Sequence, residues 1–289
     1  MVNQTQEHNC EVDEVDLMLA LKPDTLVKRG MKVEKCVRCG ISFESNPIIS
    51  GDDVCRTCST MNCITFWYPR LFRLGFPMPK TIILHTNLPL EMLTDGRVPE
   101  GIDEFINGIR FAAPKLGTYP LFLRTGYLSN KHDWKNSCFL SKETLANKEW
   151  ILKHITNIVE LSAIATIDRM MPIDFWAVRE FIETKSYFDY FPGEMPITKE
   201  RRYFVRDGMI ECHHNYWDRE AFEDDIDEEK FNDLSSLSKE DESELNKMAR
   251  YVANLFSGFW SVDFLKGKND KWYLTDMAIG ESSHHQKHK

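Results

Sequence analysis

Asp263 and Asp276 each sit inside an apolar, aromatic-rich run, Phe259-Trp-Ser-Val-Asp263-Phe-Leu-Lys and Trp272-Tyr-Leu-Thr-Asp276-Met-Ala. A turn-forming Gly267-Lys-Asn-Asp270 stretch joins the runs, which together read as a β-hairpin. A carboxylate in such a strand is costly unless something pairs with it. Two brought together repel, and each shifts the other's pKa unless a cation lies between them. Mg2+ suits that chemistry, because it takes one or two carboxylates and completes its shell with water and phosphate oxygens. The competing reading is a pair of edge-strand aspartates facing water. On the hairpin alone the two readings stand level.

Cations at useful spacing lie upstream. Arg124 ends the run Leu121-Phe-Leu-Arg124, and Lys131 follows across Thr-Gly-Tyr-Leu-Ser-Asn. A fixed guanidinium and an ammonium bracketing a turn can cradle polyphosphate oxygens; the alternative is a pair of surface cations. His132 and Asp133 come next, and either could simply organise the loop. Val178-Arg-Glu180-Phe-Ile182 reads as an extended hinge or a buried strand. Glu200-Arg-Arg202-Tyr-Phe-Val alternates, with Arg202, Phe204 and Arg206 on one face and Tyr203 and Val205 on the other.

A different chemistry is expected near the N-terminus. Cys36-Val-Arg-Cys39 and Cys55-Arg-Thr-Cys58 are fifteen residues apart, a spacing that lets four thiolates converge on Zn2+. Gly40 stands where the first knuckle turns, and Cys63 is a spare candidate ligand. So small a module has no core of its own, so the zinc is expected to be structural. Cys10, Cys138 and Cys212 read as ordinary buried thiols. Lys28, Arg29, Lys32, Lys35 and Arg38 cluster here; a solvated face is favoured over a nucleic-acid surface.

These residues need elements to hold them. The 289 residues suffice for one large domain or two modest ones. The reading divides them into an N-terminal arm over 1–30, a zinc ribbon over 31–61, a small α/β domain over 62–117 and a larger domain over 118–285. Val15–Leu21 in the arm is apolar enough to dock on the body. Thr81–His85 reads as a buried strand and the stretch from Pro99 as a short helix. Helical stripes run through Ile151, Ile155, Ile158 and Val159, and through Leu245, Met248, Val252 and Phe256, with Gly258 as a stop. Residues 218–243 read as a solvated, partly mobile acidic insertion. Thirteen acidic and three basic side chains between 218 and 244 account for the net charge of −9, leaving the rest close to neutral. Such a body tolerates anionic ligands but lacks the broad basic field of a nucleic-acid binder. No apolar run approaches a membrane span and no leader precedes the body, so a cytoplasmic protein without a membrane partner is expected.

The order of these pieces resembles the ATP-grasp superfamily over roughly residues 62–285. Within it the chain is similar to a divergent branch with the cell-division-cycle 123 family, a translation-initiation-factor assembly chaperone, and related viral and bacterial proteins. The carriers are His132-Asp133 after the Arg124 strand, Arg179-Glu180 at the hinge, Glu200-Arg-Arg202-Tyr-Phe-Val and the two-aspartate hairpin. The resemblance implies an α+β fold whose two lobes grip ATP and Mg2+ between antiparallel sheets. It implies polyphosphate at Arg124 and Lys131, and adenine against the Glu180 carbonyl and the Ile182 N–H. Ribose would fall to Glu183 or Asp189. Arg202 would meet phosphate or an acyl-phosphate, with Lys131 as its catalytic companion, and Asp263 and Asp276 would hold Mg2+. Two departures stand out: Arg124 replaces the usual lysine, and Ala278 replaces an asparagine often found two residues after the second acid. The polar stretch from Gly280 to His285 either completes the site or is a tail. The implied activity is an ATP-dependent carboxylate–amine ligase acting through an acyl-phosphate on an unknown small-molecule or protein substrate. The alternative is a non-catalytic, chaperone-like ATP-binding protein that captures a protein partner. A zinc-ribbon nucleic-acid module is disfavoured because the body is not basic.

Overall fold

A computed structural model describes residues 32–36, 38, 41–45, 56–164, 171–191, 195–222, 226–283 and 285. The chain opens with an antiparallel ribbon, β1 (Lys32–Lys35) and β2 (Ser42–Ser45). After a helical turn at Arg56–Ser59 come α1 (Ile64–Phe72), β3 (Thr81–His85) and α2 (Ile102–Leu116). Next follow β4 (Leu121–Thr125), β5 (Phe139–Leu140), α3 (Lys142–Ala146), α4 (Lys148–Ile164) and β6 (Phe175–Glu180). A small hairpin, β7 (Phe188–Phe191) and β8 (Met195–Ile197), leads into β9 (Glu200–Arg206) and β10 (Met209–Asn215). The chain continues with α5 (Glu228–Ser235), α6 (Lys239–Leu255), β11 (Phe259–Lys266) and β12 (Trp272–Ile279).

Two four-stranded sheets carry the architecture, ordered β3-β6-β4-β5 and β10-β9-β11-β12. Every neighbouring pair in them is antiparallel, so the fold is α+β with two antiparallel sheets. The period of two along each strand decides what faces where. Leu121 and Leu123 of β4 and Trp176 and Val178 of β6 are fully buried against α2 and α4. Their neighbours Phe122, Arg124 and Arg179 therefore point to the opposite face, toward the second sheet. In β11, Trp260, Val262 and Phe264 enter a core with α1 and α6, which turns Asp263 and Leu265 toward the first sheet.

α6 shows how local signals agree with packing. Ser238 caps it by accepting from the Asp241 N–H at 3.0 Å, worth about 1 kcal/mol. Leu245, Met248, Ala249, Val252 and Ala253 then form its buried stripe. Leu245 and Val252 are wholly buried, each contributing about 1.5–3 kcal/mol.

The stretch 62–117 shares both cores rather than holding one of its own. Ile64, Trp67 and Leu71 of α1 are buried with the second sheet, whereas β3 pairs with β6 and α2 packs on the first. An apolar strand and an apolar helix need cover, and here two different sheets supply it. The acidic stretch also departs from expectation, because it is largely folded. Trp217, Phe222 and Leu234 are buried with Trp134, Cys138 and Ile197. Asp233 meets Lys185 at 2.9 Å and Lys199 at 3.3 Å, and Asp241 meets Lys266 at 2.8 Å. A few apolar anchors with paired carboxylates are enough to order a segment of high charge.

The ribbon docks through Arg38. Its guanidinium lies 4.6 Å from the Trp260 ring centre and donates to the carbonyls of Phe259 at 2.7 Å and Ser257 at 3.1 Å. Gly258, at φ +79, leaves the room it needs: a Cβ there would stand 3.1 Å from an Arg38 nitrogen. Cys36 and Cys58 are buried in the core of the second sheet, while Cys39, Cys55 and Val15–Leu21 lie outside the described residues. Among the described residues no group of three metal-ligating side chains converges, and no helix is long and apolar enough to cross a membrane.

Candidate functional site

A cavity of about 400 Å³ opens between the two sheets. The first sheet contributes Phe122 and Arg124 from β4 and Arg179 and Glu180 from β6. Tyr127, Ser129 and Lys131 reach it from the loop after β4, and Phe181, Ile182 and Thr184 from the segment after β6. The second sheet answers with Glu200, Asp263, Leu265, Thr275 and Asp276. Arg124, Lys131 and Arg179 thus face Glu200, Asp263 and Asp276 across the cavity, with Glu180 on the cations' own side.

The two aspartates are cross-strand partners on β11 and β12. One extra residue, Thr275, bulges between the pairs Asp263↔Asp276 and Phe264↔Leu274, so that Thr275 and Asp276 both face the cavity. Each carboxylate is already held by an arginine. Arg202, opposite Asp263 across β9 and β11, donates to both its oxygens at 2.7 and 2.8 Å. Burial opposes its charge, but this bidentate pairing raises the Arg202 pKa above its ordinary value. Arg202 therefore sits behind Asp263, where the resemblance implied that it would face phosphate. Arg124 NH1 lies 3.0 Å from Asp276 Oδ2.

Arg179, among the cavity's cations, keeps one donor unsatisfied. Its Nε donates to Thr81 Oγ1 at 3.1 Å and its NH1 to the Thr275 carbonyl at 2.7 Å. Its NH2 is buried without a hydrogen-bond partner. Burial and the neighbouring Arg124 guanidinium pull its pKa down to about 10, still charged near neutrality. A fixed cation with an idle N–H beside a cavity is a standing attraction for an anion.

Lys131 is set among aromatics. Its ammonium is 3.2 Å from the Tyr216 hydroxyl, 4.3 Å from that ring's centre and 4.0 Å from Glu200 Oε2. Burial works against its charge, yet Tyr216 and Glu200 outweigh it and hold its pKa above the ordinary ammonium value. Burial likewise pushes the Glu200 carboxyl up despite the ammonium nearby. Cys138, behind the cation loop, is a wholly buried thiol pushed up to about 12 by desolvation.

Of the other expected residues, Glu180 and Ile182 line the cavity. The Glu180 carboxylate accepts from the Lys80 N–H at 3.2 Å. Glu183 does not line it: Ile182 and Thr184 do, so the residue between them points away. Its exposed carboxylate lies 3.9 Å from the Lys268 ammonium in the hairpin turn. The side chains of Asp189 and His132 lie outside the described part. Asp133 organises its loop, accepting from Asn136 at 2.8 Å. Residues the sequence reading gave no role are Arg179, Glu200, Tyr216, Thr184 and Thr275. Arg179 carried a weaker signal, a charge entering an apolar strand, but Glu180 beside it let the pair read as the strand's polar end.

The donor set fits Mg2+ with phosphates. Asp263 and Asp276 supply hard oxygen ligands in the number that Mg2+ takes while it keeps water and phosphate oxygens. Arg124, Lys131 and Arg179 bring positive charge to the same cavity for the anion.

Residues 115–289 match the model of an ATP-grasp domain, the third family of its clade. A search of the curated proteins found no match. Among solved structures, a C-terminally truncated Cdc123 from Schizosaccharomyces pombe is 15% identical, with a TM-score of 0.50 over 77% of this chain and 85% of that one. A RimK domain protein ATP-grasp from Sphaerobacter thermophilus is 13% identical, with a TM-score of 0.42 over 76% of this chain. The D-alanyl-alanine synthetase A of Vibrio cholerae is also 13% identical, with a TM-score of 0.41 over 76% of this chain. The chain spans 59% and 56% of the length of these last two proteins.

Proposed function

The chain belongs to the ATP-grasp proteins, in the family its domain matches, and from that premise we propose that its cavity binds ATP with Mg2+ and serves an ATP-dependent carboxylate–amine ligase. The observation that carries this reading is the facing of three cations, Arg124, Lys131 and Arg179, by Asp263 and Asp276 across one cavity.

Adenine lies along the hinge, with the Glu180 carbonyl accepting from N6 and the Ile182 N–H donating to N1. Apolar Phe181, Ile182 and Leu265 exclude water from the base. Arg124, Lys131 and Arg179 hold the phosphate oxygens and stabilise charge on the transferring phosphoryl group. Asp263 and Asp276 would hold Mg2+, which when bound neutralises phosphate oxygens. Arg202 aims Asp263 through its two hydrogen bonds. A substrate carboxylate takes the γ-phosphoryl group, ADP departs, and an amine displaces phosphate from the acyl-phosphate. Positioning and electrostatics carry the rate, so no side-chain general base is required.

A millimolar Mg-ATP addition is expected to raise the melting temperature by a few degrees, since saturation at a hundredfold Kd stabilises by about 2.7 kcal/mol. ADP release is then followed against panels of carboxylates and amines. No melting shift sinks nucleotide binding; a shift without ADP release from any pair moves the reading to its alternative. That alternative, a non-catalytic binder that captures a protein partner, is favoured by Ala278. It pairs with Ser261 across the hairpin and offers the metal no oxygen from its side chain.

We also assign the two CxxC pairs one structural Zn2+. Metal analysis of purified protein is expected to return about one zinc per chain, the stoichiometry of a four-thiolate site. Cys58→Ser is expected to lower folding yield without touching the nucleotide residues. A zinc-free protein that folds normally disproves the assignment.

A further inference from the structure

Arg124 is 3% exposed, and its stem is pinned by a hydrogen bond from Nε to the Thr125 carbonyl at 3.1 Å. Its NH1 meets Asp276 Oδ2 at 3.0 Å, while Asp276 Oδ1 accepts from the Met277 N–H at 3.0 Å. The guanidinium assigned to phosphate and the carboxylate assigned to metal therefore neutralise each other. Arg179 crowds the same carboxylate, with NH1 on the carbonyl of the residue before it. Asp276 is still 40% exposed, so a cation in the cavity can reach it.

We propose that the Arg124–Asp276 ion pair is a latch that makes metal and nucleotide binding mutually dependent. The inference rests on the reading that Mg-nucleotide occupies this cavity. A divalent cation drawing on Asp276 releases Arg124 to phosphate, and phosphate engaging Arg124 releases Asp276 to the cation. Neither ligand opens the latch cheaply alone. The coupling is reciprocal, since each ligand must change the other's affinity by the same factor. If Arg124 is engaged with Asp276 about nine-tenths of the time, metal-free nucleotide binds about tenfold more weakly than it would to a released Arg124.

The test is calorimetric binding of ADP to the full chain in EDTA and in saturating Mg2+. It compares wild type, Asp276→Asn, Arg124→Gln and the double variant. In wild type, Mg2+ is expected to tighten ADP by about tenfold or more. Asp276→Asn is expected to bind metal-free ADP about tenfold more tightly than wild type, with little further gain from Mg2+. A metal ligand's loss would thus strengthen metal-free binding. In the Arg124→Gln background the same Asp276 change is expected to give no such gain.

Equal metal-free affinity in Asp276→Asn and wild type overturns the latch. So does an undiminished gain in the Arg124→Gln background, which would reflect only the removal of a repelling charge. A wild type that binds ADP equally with and without Mg2+ overturns it without any variant, while leaving nucleotide binding intact. A wild type that binds no ADP under either condition overturns both the latch and the nucleotide reading.

Discussion

Asp263→Ala is expected to lose Mg2+-dependent nucleotide binding and to destabilise the fold by about 3 kcal/mol, the scale for removing one partner of a buried ion pair. The carboxylate is 11% exposed and holds Arg202 through two short hydrogen bonds. Its removal deprives a largely buried guanidinium of its counter-ion in the middle of the second sheet. Urea unfolding measures the loss of stability, and ADP titration with Mg2+ the loss of binding. Arg202→Gln/Asp263→Asn separates them, because neutralising both partners removes the stranded charge. That double variant is expected to recover most of the stability and none of the metal dependence. Retention of full Mg2+-dependent binding in Asp263→Ala would remove the aspartate from the site.

Lys131→Met is expected to reduce turnover by about 10²–10³, the usual loss when one preorganised charge-stabilising group is removed. Adenosine affinity should hardly move, since the proposed site assigns the base to the hinge and not to Lys131. Stability should also acquire a new pH dependence. The folded pKa of Lys131 lies above its ordinary 10.5, so its contribution is fully present below that value and is lost only at more alkaline pH. Glu200 works in the opposite sense. Burial raises its folded pKa above 4.5, so the fold is favoured with the carboxyl protonated and loses stability as pH rises through the raised value. With the ammonium gone that loss grows. Melting curves of Lys131→Met should therefore fall from acid toward neutral pH more steeply than those of wild type. Lys131→Met/Glu200→Gln should be flatter than Lys131→Met; identical slopes would show that Glu200 does not titrate against this ammonium.

The hairpin was the most legible element near the site, because two apolar runs about a Gly/Asn/Asp turn mark both strands, although its aspartates alone left a metal site and a water-facing pair level. The apolar run before Arg124 likewise marked a strand, and the structure has it as β4. What could not be read was pairing between distant strands. The alternation of β9 was plain, but nothing in it said that Arg202 would face Asp263 on β11, sixty-one residues away. The same blindness made 62–117 look like a unit, since an apolar strand such as Thr81–His85 does not say which sheet it will join. Glu183 failed for a smaller reason. A hinge one residue out of phase exchanges the side chains that face the cavity. In the acidic stretch, charge masked the anchors Trp217, Phe222 and Leu234, whose burial decides its fold.

Arg179 belongs to the first sheet, yet its NH1 grips the Thr275 carbonyl of the second at 2.7 Å. Thr275 is the residue before Asp276, which Arg124, also of the first sheet, holds at 3.0 Å. Two adjacent residues of one strand are thus riveted to two neighbouring strands across the cleft. Parting the sheets strains both contacts, because they join adjacent residues of one strand. Their loss would strand two guanidinium groups together. Opening of the ligand-free cleft has to break both contacts. In the ligand-free molecule the cleft is therefore clamped at one point by polar contacts as well as by packing, and a ligand that draws Arg124 from Asp276 undoes one half of that clamp.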